Sequence, residues 1–140
     1  MVIPTEGNLL ASNAQVLVNP VNCIGIMGKG LALQFRFKFP GMYLDYRRDC
    51  LEKNFRPGEI KFYYDTRDIL CVATKDHWKN PSKLEWIEQG LLSMAEAFKI
   101  RQTRSVAISH IGCGNGGLSQ EEVRPLIYKY LGYIERVELY

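Results

Sequence analysis

Short, almost continuously apolar runs alternate along this chain with longer stretches of helical period. Ala14-Gln-Val-Leu-Val-Asn19 is β-branched and apolar at nearly every position, as expected of a strand covered on both faces. The earlier β-prone stretch 2–6 is expected to pair beside it. After Pro20, Asn22-Cys-Ile-Gly25-Ile-Met-Gly28-Lys-Gly30 is too rich in glycine for regular structure, and residues 31–38 are helix-prone. Pro40-Gly41 breaks that helix, and Tyr43, Tyr46, Cys50 and Leu51 then recur at helical spacing until Pro57-Gly58.

The second half repeats the alternation. Glu59-Ile-Lys-Phe-Tyr-Tyr and Ile69-Leu-Cys-Val-Ala-Thr read as two strands joined by the polar turn at 65–68. Ser82-Lys-Leu-Glu85 has capping-box spacing, and Leu84, Ile87, Leu91, Met94, Ala95 and Phe98 form one apolar stripe, so a long helix is predicted to about Arg101. Ser105-Val-Ala-Ile-Ser109 is another buried strand, Gly112-Cys-Gly-Asn-Gly-Gly117 a second glycine loop, and Ser119-Gln-Glu-Glu122 a second capping box opening a helix to about Leu131. Arg136-Val-Glu-Leu-Tyr140 closes as a strand. Alternating strands and helices predict an α/β fold with a largely parallel central sheet and helices on its faces.

Length and composition narrow this further. With 140 residues, 46% hydrophobic and 24% charged, the chain holds one domain with a real core, residues 1–140, and too few residues for two. No apolar run approaches the ~20 residues of a membrane span and the amino terminus has no signal-peptide pattern, which predicts a cytoplasmic protein with no membrane partner. The net charge of +3 is compatible with a polyanionic partner without requiring one. Cys23, Cys50, Cys71 and Cys113 form no C-x-x-C pair, and His77 and His110 stand at no metal-ligand spacing. Reduced thiols, no metal and no organic cofactor are expected.

The candidate chemistry lies in the two glycine loops. In open α/β sheets ligands bind beyond the carboxyl ends of the strands, where loops lead into helix amino termini with unpaired N–H groups. Glycine lets those amides approach an anion with no side chain between, so two such loops could hold a diphosphate. Neither loop alone fits a Walker A motif or a dinucleotide fingerprint. One such loop is most simply a tight turn; two in the same strand-to-helix context point to a nucleotide-sized site.

The stretch Gly7-Asn-Leu-Leu, followed by Ala14-Gln-Val-Leu-Val-Asn-Pro-Val-Asn22-Cys-Ile-Gly-Ile-Met-Gly28-Lys-Gly30, resembles the opening of a macrodomain, and Gly112-Cys-Gly-Asn-Gly-Gly-Leu118 is similar to that family's second phosphate loop. The resemblance covers nearly the whole chain. It implies a three-layer α/β/α fold on a mixed, largely parallel sheet of about six strands, and binding of ADP-ribose. Thr74-Lys75-Asp-His77-Trp78-Lys, with Pro81-Ser82, looks like the branch of DarG antitoxins and related lysine-dependent ADP-ribosyl glycohydrolases. In that branch Asn-Phe-Pro commonly stands where this chain has Cys71-Val72-Ala73, Arg where it has Lys79, and Trp where it has Gln120.

The resemblance implies that Lys75 takes the place of the catalytic lysine, with His77 a candidate to assist it, and that Asn22 lies near the distal ribose. It implies further that Asn8 and Leu9 border the adenine, while Gly28, Lys29 and Gly30 and the run Gly112, Cys113, Gly114, Asn115, Gly116 and Gly117 hold the diphosphate. From pattern alone, Lys75 reads equally as a solvated strand cap, His77 as a packing residue and Asn22 as an Asx-type turn residue. Cys23 and Cys113 read as small fillers without an activating base. Trp78, Phe35, Phe37, Phe39, Tyr43 and Tyr46 could stack on bases, although core packing accounts better for most of them.

The function expected is an ADP-ribosyl glycohydrolase, with a DNA base as the leading acceptor; an ADP-ribose-1''-phosphate phosphatase or a non-catalytic ADP-ribose reader are the alternatives. The candidate partners are ADP-ribose or an ADP-ribosylated substrate, single-stranded DNA, and an ADP-ribosyltransferase toxin. The chain is expected to be either a free-standing macrodomain or a domain excised from a longer protein.

Overall fold

The computed structural model describes all residues from Met1 to Tyr140. The elements are β1 (Val2–Pro4), β2 (Val16–Val21), α1 (Gly30–Lys38), α2 (Pro40–Leu51), β3 (Ile60–Tyr64), β4 (Asp68–Ala73), α3 (Leu84–Arg101), β5 (Ser105–Ile108), α4 (Gln120–Leu131) and β6 (Arg136–Leu139). Short 3-10 turns at Leu9–Ala11 and Gly114–Gly116 complete the chain. One six-stranded sheet has the order β1-β6-β5-β2-β4-β3, parallel throughout except for β3, which runs antiparallel to β4.

The near-continuous apolar strands follow from burial on both faces. Val16 and Val18 of β2, Leu70 and Val72 of β4, and Val106 and Ile108 of β5 pack on one face with Ile87, Leu91, Met94 and Phe98 of α3 and Val123, Ile127 and Leu131 of α4. Leu17, Val21, Ile69, Cys71, Ala73 and Ala107 alternate with them and meet Phe35, Phe39, Met42, Tyr46 and Cys50 from α1, α2 and the junction between them on the other face. This is the expected three-layer α/β/α arrangement with a mixed, mostly parallel sheet. No helix is long and apolar enough to cross a membrane.

Three expectations change. The stretch at 2–6 does not pair beside β2: β1 joins β6 at the far edge, because β2 already has β4 and β5 as neighbours. The strand read as ending at Asn19 continues through Pro20 to Val21. Val21 O accepts from Thr74 N on the β4 side, so Pro20 faces β5, where pairing has stopped at Leu17 and a missing N–H breaks no ladder. At Pro40-Gly41 the chain does break α1, but α2 begins at once, with Pro40 in the first turn where its lack of an N–H is harmless.

Close packing of α3 on the sheet depends on Gly90. A Cβ there would lie 2.7 Å from Cγ2 of the fully buried Val72. Gly90→Ala is therefore expected to destabilise the fold by about 1–2 kcal/mol in urea denaturation, overpacking outweighing the gain in helix propensity. In a Val72→Ala background the same change should cost little or nothing, and equal costs in both backgrounds would refute the contact.

Candidate functional site

The carboxyl ends of the parallel strands open onto one cavity of about 690 Å³. Pro20, Val21 and Asn22 enter it from the end of β2, Thr74 and Lys75 from β4, Ser109, His110 and Ile111 from β5, and Tyr140 from β6. Gly28 and Lys29 form one wall with Leu31 and Ala32 of α1, and Gly112, Cys113, Gly114, Asn115 and Gly116 form the opposite wall. Trp78 and Ser82 complete it from the segment that joins β4 to α3.

Its walls carry free donors. The amides of Gly28, Lys29, Leu31 and Ala32 in and after the first loop, and of Gly112, Gly114 and Asn115 in the second, donate to no protein acceptor. Gly112 and Gly114 have φ of +80° and +66°, the left-handed backbone that glycine adopts without strain. A Cβ on Gly114 would meet nothing within 4 Å, so the backbone of this loop stands open to a ligand. Unpaired amides at the ends of strands and the start of a helix attract anions.

The charged side chains in the wall are cationic. They are Lys29 and Lys75; His110 also lines the cavity, and neither Asp nor Glu does. Both ring nitrogens of His110 have partners: Arg124 Nε donates to Nε2 at 3.2 Å, and Nδ1 lies 2.9 Å from the Tyr140 carbonyl. Lys75 Nζ donates to the Trp78 carbonyl at 3.2 Å. Partial burial first, and the charge of Lys29 second, hold the Lys75 ammonium below the usual lysine range. No group of three His, Cys, Asp or Glu side chains gathers in a metal-holding arrangement.

Asn22 is buried and shapes the first loop. Its Oδ1 accepts from Ile24 N at 3.2 Å, Ile26 N at 3.4 Å and Tyr46 Oη at 2.9 Å, while Nδ2 donates to Ile26 O at 2.7 Å. The Asx-type turn read from the sequence is thus present at a residue that also lines the cavity. Burial pushes the Cys23 thiol up to about 12, and Cys113 is shifted upward too, so neither is an activated nucleophile.

Lys75, Asn22, Gly28, Lys29, Gly112, Cys113, Gly114, Asn115 and Gly116 therefore share one wall system, whereas Asn8, Leu9, Gly30, Gly117 and His77 do not line it. Asn8 is exposed and caps the 3-10 turn by accepting from Leu10 N at 3.1 Å, and Leu9 is buried in the core. The His77 ring lies beside Trp78, 5.5 Å between centroids, and its Nδ1 accepts from Lys79 N at 3.1 Å. Sequence reasoning passed over Ser109, His110, Ile111 and Tyr140; their position just after the buried runs of β5 and β6 was the available signal.

Ser82 departs from its expected role. Glu122 and Ser119 form the predicted capping box of α4, but α3 begins after Lys83 with no side-chain cap. Ser82 N donates instead to Gly116 O at 2.9 Å, and its buried Oγ has no partner. That hydroxyl occupies the space a Gly116 side chain would need, 2.5 Å from the position of its Cβ.

The fold is thus an α/β domain whose sheet-end cavity is walled by unpaired amides and two lysines, an arrangement suited to a phosphate-bearing ligand. The chain belongs to the macro domain family, whose model matches residues 18–127. It is 40% identical over 141 residues to a Thermus aquaticus protein named DNA ADP-ribosyl glycohydrolase, the match covering 96% of this chain and 39% of that protein. The structure superimposes on the macrodomain of Mycobacterium tuberculosis DarG with TM-score 0.93 at 33% identity, covering 99% and 97% of the two chains. It also matches Thermosipho africanus DarTG in complex with ADP-ribose, with TM-score 0.91 and 32% identity over 99% of this chain and 41% of that one. The chain spans about two fifths of the length of the Thermus aquaticus relative and of a Thermosipho africanus relative.

The contact between Ser82 and Gly116 yields a stability test. Gly116→Ala should cost about 1–3 kcal/mol by thermal or urea unfolding, and Ser82→Gly in the same chain should recover most of it. Absence of coupling between the two substitutions would disprove the contact.

Proposed function

We propose that this domain is an ADP-ribosyl glycohydrolase that binds the ADP-ribose unit between its two glycine loops and releases it from a modified DNA base. The observation that carries the reading is the character of the wall: free amides on two sides, two lysines, and no carboxylate. Glycosidases that use paired carboxylates need two of them flanking the scissile bond. Here His110 has both ring nitrogens committed, so the proton-transfer or nucleophilic work falls to a lysine. The relatives named for DNA ADP-ribosyl glycohydrolase activity support the choice of a DNA base, and the ADP-ribose complex of the Thermosipho africanus protein supports the ligand. The same relatives suggest an ADP-ribosyltransferase toxin as the opposing partner, since one is a fusion of transferase and glycohydrolase.

The diphosphate accepts hydrogen bonds from the amides of Gly28, Lys29, Leu31 and Ala32 and of Gly112, Gly114 and Asn115, which fixes the distal ribose towards the end of β4. There the bond between the ribose anomeric carbon and the base nitrogen breaks through an oxocarbenium-like state, and positioning by the loops supplies much of the rate. Lys75 acts at that bond. As an ammonium it gives its proton to the departing base, and the water that adds to the anomeric carbon returns a proton to the amine. As a free amine it attacks that carbon as the base leaves with the bonding pair and takes the proton from the new C–N ammonium, and water later displaces the amine. Trp78 O fixes the amine in either case.

Gly114→Val would put side-chain bulk into the open face of the second loop and force a left-handed backbone on a β-branched residue. A folded variant should lose ADP-ribose affinity at least tenfold by titration calorimetry, and unchanged affinity would remove the ligand from this loop.

Lys75→Ala should lower the rate on an ADP-ribosylated oligonucleotide about a hundredfold or more, the scale of losing a positioned acid or nucleophile, with ADP-ribose affinity little changed. Lys75→Arg should fail almost as badly, because guanidinium stays charged. The pH profile identifies the protonation state. Since the Lys75 pKa is lowered, an ammonium donor loses activity as pH rises through that lowered value, and a free amine gains it there. Lys29→Ala removes a like charge, raises the Lys75 pKa, and should move that limb of the profile to higher pH. Full turnover by Lys75→Ala would overturn the lysine role. ADP-ribose binding without any product would mark a reader, and phosphate released from ADP-ribose-1''-phosphate a phosphatase.

A further inference from the structure

The segment that carries Lys75 also carries features that contribute nothing to the core. Trp78 is 42% exposed although it lines the cavity, and its carbonyl holds the Lys75 amine. Whatever is joined to the ribose carbon at Lys75 therefore leaves the cavity beside this indole. Lys79 Nζ stands 5.2 Å from the Trp78 ring centroid, and four residues on, Lys83 Nζ stands 5.0 Å from that of Trp86. Lys79 and Lys83 are exposed and make no salt bridge. Of the two carboxylates near these lysines, Asp76 is committed to its own turn, accepting from His77 N at 2.7 Å and Asn80 Nδ2 at 3.2 Å, and Glu85 stands in the first turn of α3, where a carboxylate complements the helix amino terminus. Ser82, between the two aromatic–lysine pairs, is in the cavity wall.

Resting on the glycohydrolase reading above, we propose that residues 77–86 form the docking surface for the acceptor strand. Trp78 stacks on the base next to the cavity mouth, and Lys79 and Lys83 meet the phosphates on either side. An exposed indole carrying a flexible lysine ammonium over its ring, with a second lysine–indole pair at Lys83 and Trp86, suits a ligand that alternates flat rings with anions, which describes single-stranded nucleic acid. An acidic peptide would satisfy the lysines but leave the indole face without a matching partner. A duplex would keep its bases stacked on each other and out of reach of Trp78. The surface thus selects the acceptor, while the two glycine loops select the ADP-ribose.

The test uses the whole domain and three ligands: an unmodified single-stranded oligonucleotide, the same oligonucleotide ADP-ribosylated on one base, and the ADP-ribosylated nucleoside alone. The Lys79→Ala/Lys83→Ala protein should bind the unmodified strand more weakly by fluorescence polarisation, with the slope of log affinity against log salt reduced by about 1.4 for two phosphate contacts. Its turnover of the modified nucleoside should match that of the unaltered protein. Trp78→Ala, which leaves the main-chain carbonyl that holds Lys75, should lower kcat/KM on the modified strand about tenfold, and Trp78→Phe, which keeps a ring, should recover most of it. An unchanged salt slope in the double variant, or a Trp78→Phe protein as poor as Trp78→Ala, would overturn the docking surface. If the unaltered protein turns over neither modified substrate, the glycohydrolase reading fails, and the salt slope on the unmodified strand still decides the surface. Equal loss on an ADP-ribosylated acidic protein and on the strand would assign the lysines to a general anion surface and overturn the proposal.

Discussion

The site depends on two backbone hydrogen bonds that hold the segment 74–82 between the glycine loops. Cys23 N, at the start of the first loop, donates to Asp76 O at 3.2 Å, and Ser82 N donates to Gly116 O of the second at 2.9 Å. Between these fixed points lie Lys75, Trp78 and the turn closed by Asp76 and Asn80. The amine is thereby set against both anion-binding walls at once, and a shift of either loop is transmitted to it through the main chain. Side chains could not hold this geometry as well, since an exposed lysine loses rotamer entropy when it is fixed, and here the Trp78 carbonyl is what detains it.

The sheet explains why such a segment is available. Parallel strands place all their carboxyl ends on one side, so β2, β4 and β5 deliver their following loops, and β6 its Tyr140, to the same place. Helices packed on both faces make the strand ends rigid, and the loops beyond them inherit that rigidity. The wall draws its positive potential from amides and two lysines, with no Asp or Glu to cancel it; burial accounts for the larger part of the Lys75 pKa depression, and the charge of Lys29 adds to it. A diphosphate settling there reduces the repulsion between Lys29 and Lys75, so ligand binding and the protonation of the amine are linked.

Ser82 shows where local preference gives way. A serine three residues before Glu85 normally caps the helix, a gain of about 1 kcal/mol. Here the residue is spent on the contact with Gly116, its hydroxyl is left without a partner, and α3 starts uncapped. At Ser119 the same spacing meets no competing demand and the full capping box forms. The difference is tertiary, because only the first of the two serines lies against another segment of the cavity.

From its residues alone, this chain determined its layers and its ligand-facing loops. The strict two-sided apolarity of 16–18, 69–73 and 106–108 required helices on both faces, and glycine runs following two of those strands required backbone to be open to an anion. Both are local properties, written in period and in the absence of side chains. What the tertiary structure decided was pairing and company. The placement of β1 beside β6 and not β2 depended on hydrogen bonds across more than 130 residues of sequence, which no local pattern encodes. The withdrawal of Asn8, Leu9 and His77 from the cavity wall, and the entry of His110, Ser109 and Tyr140, followed from where distant strand ends meet. Sequence order specifies each loop's chemistry, but a wall is made of loops that are neighbours only after the sheet has formed.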